Sequence, residues 1–172
     1  MLLILVGCGP MSDRNYGHLG VFDIDRTIIN DRVIEGQADK HSVAIEVAEK
    51  TVVIMPIWRE GGSQVVCHFG GQGLIEDFQV VVPTSKRHLG SSFGGYGEPR
   101  YWVSASGGRE NVTFPIVIEK GTTIEFLASV TPDDSLGAYR FLLRLGNGGS
   151  HVKVEILAKK SKQTRESKFK AW

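Results

Sequence analysis

A cysteine next to a histidine, Cys67-His68, is the first place to look for chemistry, since His88 or His151 could complete a metal site with them. A metal ion needs its ligands on one side. Successive side chains of a strand point to opposite faces, so Cys67 and His68 diverge if that stretch is extended. The expectation is therefore no metal site, with a buried and unreactive Cys67. Only two cysteines are present, Cys8 and Cys67. That excludes a four-cysteine zinc site and a disulfide-rich framework. Gly71-Gln72-Gly73 and Gly94-Gly95-Tyr96-Gly97 lack the third glycine or the lysine that a phosphate loop requires, and read as turns. Asn111-Val112-Thr113 fits a glycosylation sequon, a pattern short enough that chance matches are common. Spacing alone assembles no Ser–His–Asp set. No catalytic residue and no cofactor is assigned.

Binding chemistry concentrates in one aperiodic connection, residues 86–100. Loops of that length inside compact domains are usually functional or disordered. Phe93 and Tyr96 offer flat faces for stacking, among the cations Lys86, Arg87, His88 and Arg100, and Trp102 follows. A protein partner, an anionic polymer or sugar chains would suit such a mixture. Nucleic acid is not expected, because the body of the chain is net acidic.

The elements that must carry these residues repeat with a period of two. Ser42 to Val47 alternates, with Val43, Ile45 and Val47 on one face. Thr51 to Arg59 is rich in Val and Ile, with Pro56 predicting an edge or a bulge. Further runs are Val65 to Phe69, Ile75 to Val82, Tyr101 to Ser106, Val112 to Glu119, Thr122 to Val130, Ala138 to Leu145 and His151 to Ala158. Lys120-Gly121 and Asn147-Gly148-Gly149 predict hairpins. Only Val33 to Glu49 has any claim to be helical. About nine short strands, no internal repeat and 21 glycines in 172 residues predict an all-β fold, an antiparallel β-sandwich or jelly roll. The expected division is 1–20 as leader and tether, 21–158 as the β domain and 159–172 as a basic tail. That tail holds six Lys and Arg residues against Glu166, with Phe169 and Trp172 as an apolar grip for an anionic surface.

Three short strings resemble known families. Val21-Phe22-Asp23-Ile24-Asp25-Arg26-Thr27 resembles motif I of haloacid-dehalogenase-type phosphatases. The resemblance implies Asp23 as nucleophile and Asp25 as general acid/base, with magnesium holding phosphate. That family is doubly wound α/β, which this pattern of strands does not supply. Leu2 to Val6 followed by Gly7-Cys8-Gly9-Pro10-Met11-Ser12 resembles the start of nicotinamide dehydrogenases, with Ser12 in place of the third glycine. Leu5-Val6-Gly7-Cys8 resembles the lipobox of bacterial lipoproteins. It implies that a small residue precedes a cleavage point and that the Cys8 thiol receives a diacylglyceryl group. Seven residues precede Cys8 with no Lys or Arg among them, against the 7–15-residue apolar core and cationic start of a full signal. The competing reading makes Leu2 to Val6 a core strand of a cytoplasmic protein.

Composition bounds the rest. Hydrophobic residues are 41% and charged residues 23%, ordinary for a globular chain. A net charge of +1 creates no global field toward nucleic acid or acidic membrane. No run reaches the ~20 apolar residues of a spanning helix. The expected protein is a lipid-anchored component of the bacterial cell envelope, on the outer membrane facing the periplasm. Its non-enzymatic β domain would bind a protein partner in an envelope assembly or secretion machine.

Overall fold

A computed structural model describes residues 19–35, 39–59, 64–84, 100–105, 108–128 and 132–164. Twelve strands and one 3-10 turn (Asp134–Leu136) account for most of them. In chain order the strands are β1 (Leu19–Ile29), β2 (Arg32–Ile34), β3 (Val43–Val47), β4 (Lys50–Arg59), β5 (Gln64–Gly71) and β6 (Gly73–Val81). They continue with β7 (Arg100–Ala105), β8 (Gly108–Asn111), β9 (Ile116–Ile118), β10 (Thr123–Leu127), β11 (Tyr139–Asn147) and β12 (Ser150–Thr164). All strand pairings are antiparallel, and no α-helix occurs among the described residues.

The strands form one curled sheet in the order β8-β7-β10-β5-β4-β1-β12-β11-β6-β9, with β2 on β1 and β3 on β4. A sandwich would divide them into two sheets; here β1 joins the halves. It pairs with β12 along most of its length and with β4 through Leu19–Arg59, Gly20–Trp58 and Val21–Ile57. Pro56 fits this junction. On one side β4 pairs with β3 up to Ile54 and with β1 only from Ile57. Pro56 falls in the gap, where its missing N–H breaks no ladder. The strand changes partner there, so the edge behaviour expected of the proline is local.

Two bulges set which side chains face inward. The β1–β12 register slips between Ile24 and Arg26, which leaves Asp25 as the extra residue. Phe22 and Ile24 face the core before it, and Thr27 and Ile29 after it. The β6–β11 register slips in the same way at Glu76, so Ile75 and then Phe78 and Val80 are buried. Both extra residues are acids held by a cation on the neighbouring strand: Asp25 by Lys159 at 3.4 Å and Glu76 by Arg144 at 3.1 Å. A bulge turns one residue out of the ladder, and an acid there keeps it in water.

The core lies inside the curl. Phe22 meets Tyr139 and Phe141 edge-on at 4.9 and 5.4 Å, and Phe69 of β5 meets Phe78 of β6 across the curl at 5.6 Å. Edge-to-face contacts of this kind add about 0.5–1.5 kcal/mol each beyond area burial. Ile54, Ile75, Ile118, Ile124 and Ile156 fill the space between them. A small second cluster of Met55, Ile57 and Val66 with Leu19 lies on the outer face of β4 and β5.

The all-β antiparallel class is as the alternation predicts. Several details differ. Among the described residues twelve strands occur, three of them (β2, β8 and β9) only three or four residues long, and the described part of 33–49 holds most of β2 and all of β3 with no helix. Lys120-Gly121 does form a turn, with Gly121 at φ +82° and Thr122 N donating to the Glu119 carbonyl at 3.0 Å. The strands it joins are not a hairpin, since β9 pairs with β6 while β10 pairs with β5 and β7. The turn carries the chain from one half of the curl to the other. Asn147-Gly148-Gly149 is the tip of a true β11–β12 hairpin. Finally, β12 runs on to Thr164, so Lys159 and Lys160 belong to the sheet and are ion-paired with Asp25 and Asp134.

Candidate functional site

The two ends of the strand order, β8 and β9, line one groove of ≈ 450 Å³. They are joined by residues 112–115. Among the described residues β8 pairs only with β7, and β9 only with β6. The groove is therefore the seam where the curled sheet fails to close. Its floor is apolar: Val103 of β7, Val112, and Ile116 of β9, all packed against the rim of the core. Val117 projects from β9 with 66% of its surface exposed. Glu110 and Glu119 stand on the rim. Both are exposed, and neither takes part in any ion pair among the described residues. Among the described residues, the seam presents two strand edges without a second strand partner, an apolar floor and two carboxylates.

A second polar group crosses the outer face of the other half. Arg59 of β4 reaches over β5 to Glu125 of β10, Nη2 to Oε1 at 2.9 Å. Both side chains are largely buried, at 19% and 12% exposed. His68 of β5 lies on the same face. Burial pushes its pKa down, the Arg59 cation adds to that, and Glu125 opposes it. This pair ties three strands together across Val66.

The residues singled out from sequence are placed as follows. Cys67 is fully buried in the core and His68 faces outward, so the two diverge as strand geometry predicts. Burial alone raises the thiol pKa far above its usual range. No cluster of metal-ligating side chains occurs among the described residues. His151 is exposed on β12. Asp25 is the bulged residue of β1, and Asp23 stands two positions before it in the regular ladder, opposite Lys159. Asp23 lies 3.1 Å from Lys40 Nζ and 3.4 Å from His41 Nδ1, which is also 3.0 Å from the Phe22 carbonyl. Thr27 points into the core, 1% exposed. The strand runs antiparallel to its neighbours, so Asp23, Asp25 and Thr27 do not converge at the end of a parallel strand as the phosphatase resemblance requires.

Cys8, Lys86, Arg87, His88, Phe93 and Tyr96 lie outside the described residues. Arg100 opens β7 opposite Leu127, and Trp102 sits opposite Glu125 on one side and Asn111 on the other. The 86–100 connection thus enters the sheet on the strand next to β8. The seam itself was not legible in the sequence. Val112 to Glu119 reads as one strand, whereas only Ile116–Ile118 is one. Pro115, in the middle of that run, was the signal available.

The chain matches no family model, no curated protein and no solved structure.

Proposed function

We propose that this protein is a lipid-anchored component of the bacterial cell envelope whose β domain binds a protein partner. The observation that carries the anchor is the placement of Leu5-Val6-Gly7-Cys8 relative to the fold. Residues 9–18 separate Cys8 from β1. At ~3.3–3.6 Å per residue, that stretch can span up to about 35 Å, enough to hold a domain clear of headgroups. The register adds support. Gly20 pairs with Thr164, so the strand that follows the tether and the strand that precedes the basic tail meet at one end of the sheet. One acyl group binds membranes weakly, and a second, cationic signal at the same end strengthens the hold. Lys162, Arg165, Lys168 and Lys170 are the cations available for it. The open seam supports the binding role, with rim carboxylates that take part in no ion pair among the described residues.

The test is the intact mass of the protein from the membrane fraction, expressed with its native upstream region in a bacterium. A species beginning at Cys8 with added acyl mass is expected, and Cys8→Ser should release the protein into the soluble fraction. A soluble species that keeps Met1 at unmodified mass would overturn the proposal.

A further inference from the structure

We infer that the β8–β9 seam receives an extended, basic segment of the partner protein as an added strand; this rests on the reading of the domain as a protein-binding module. Edge strands carry unpaired N–H and C=O groups, and natural sheets cover, shorten or charge them. Here both ends of the sheet face one groove, so a single extended segment could pair with an edge and lie on the floor made by Val103, Val112 and Ile116. A helix could fill the apolar floor and still leave the strand edges unpaired. An extended chain satisfies both, by the strand-addition mode in which main-chain bonds give affinity and alternate side chains give selectivity.

Charge decides what kind of segment fits. Among the described residues, Glu110 and Glu119 flank the floor in no ion pair, and the side chains lining the groove include no Lys or Arg. Lysine or arginine at alternate positions of the incoming strand would face them, with small apolar residues between directed at the floor. The same two acids argue against a second copy of this chain as occupant. Edge-to-edge pairing of two such seams would bring carboxylate against carboxylate, and like charges opposed across strands are destabilising.

The test uses the full chain and two short capped peptides, one alternating lysine with valine and one alternating glutamate with valine. Binding is followed by calorimetry and by hydrogen exchange at the Ile116–Ile118 and Gly108–Asn111 amides. The lysine peptide should bind and slow exchange at those amides. The double variant Glu110→Lys/Glu119→Lys should weaken it about tenfold and gain affinity for the glutamate peptide, as expected of rim contacts reversed in sign. Both positions are exposed, so the variant should keep the parent's thermal midpoint, which is checked first. Binding indifferent to the charge swap, protection elsewhere in the sheet, or no binding by the lysine peptide would overturn the inference. So would sedimentation showing that the free protein self-associates through β9. The anchor proposal fails separately: an acylated Cys8 with an unoccupied seam sinks only this inference, and a peptide-binding seam in an unacylated protein sinks only the anchor.

Discussion

Gly20→Ala should open the junction that makes two half-sheets into one. Gly20 pairs with Trp58 across β1 and β4, and the indole lies over the space a side chain would fill. An added Cβ would fall within the Trp58 ring. The backbone at Gly20 is not in the left-handed region, so the cost is steric and not conformational. Trp58 must swing away. It then loses the bond from Nε1 to the Val21 carbonyl, 3.1 Å long, and its place beneath Lys160 Nζ, 5.4 Å from the ring centre. Overpacking costs about 1–3 kcal/mol, and the lost hydrogen bond adds about 1. The sum of about 2–4 kcal/mol should lower the thermal midpoint by roughly 4–16 °C for a domain of this size. Circular dichroism melts of four proteins decide the matter: the parent, Gly20→Ala, Trp58→Leu and the double variant. In the Trp58→Leu background the added methyl meets open space, so Gly20→Ala should cost far less there, a coupling of about 1–3 kcal/mol. Equal costs in both backgrounds, or a single-variant cost below about 0.5 kcal/mol, would refute the stacking argument.

Native protein should leave Cys67 unmodified by a thiol reagent, as read by peptide mass mapping, with labelling only on unfolding; rapid native labelling would show that the core opens. Stability should fall as pH rises above about 9–10, because Cys67 and Tyr139 both have raised pKa values in the fold. The unfolded chain loses those protons first, so each group's contribution is complete below its ordinary pKa and drains above it. Burial dominates at Tyr139, which also donates to Asp134 Oδ1 at 2.8 Å. Tyr139→Phe should therefore cost about 1–3 kcal/mol at neutral pH and flatten the alkaline decline, measured by urea midpoints from pH 7 to about 11; an unchanged slope would count against the assignment.

The parts of the fold legible in sequence were those where alternation runs unbroken against one face. Val43-Ala44-Ile45-Glu46-Val47 alternates buried and exposed as β3, and Tyr139 to Leu145 does the same as β11. β1 escaped because its bulge changes the parity in mid-strand, so Phe22 and Thr27 face inward five positions apart. The acid in that bulge, Asp25, then resembled half of a catalytic motif. β8, with the sequence Gly-Arg-Glu-Asn, has no apolar pattern at all and is a strand because β7 offers it a ladder. The Lys120-Gly121 turn was legible, and its topology was not. A turn residue specifies local backbone, while which strands pair across a curl is settled by packing such as Phe69 on Phe78. The candidate seam depends on that global closure: Pro115 marks where the run of 112–119 breaks, and nothing local marks that two sheet edges meet there.

β1, the first described strand, takes most of its hydrogen bonds from β12, the last. A chain made from its N-terminus carries Leu19–Ile29 unsatisfied on that side until residues 150–164 exist. Closing so long a loop costs little final stability, since the entropy grows only logarithmically with length. It costs time, because non-local pairing slows folding and leaves apolar strands exposed meanwhile. A truncated product ending before Ser150 would have no partner for that flank of β1 and no hairpin partner for β11. Synthesis through β12 is thus built into the sheet as a condition for closing it: until that strand exists, β1 and β11 each keep an open edge.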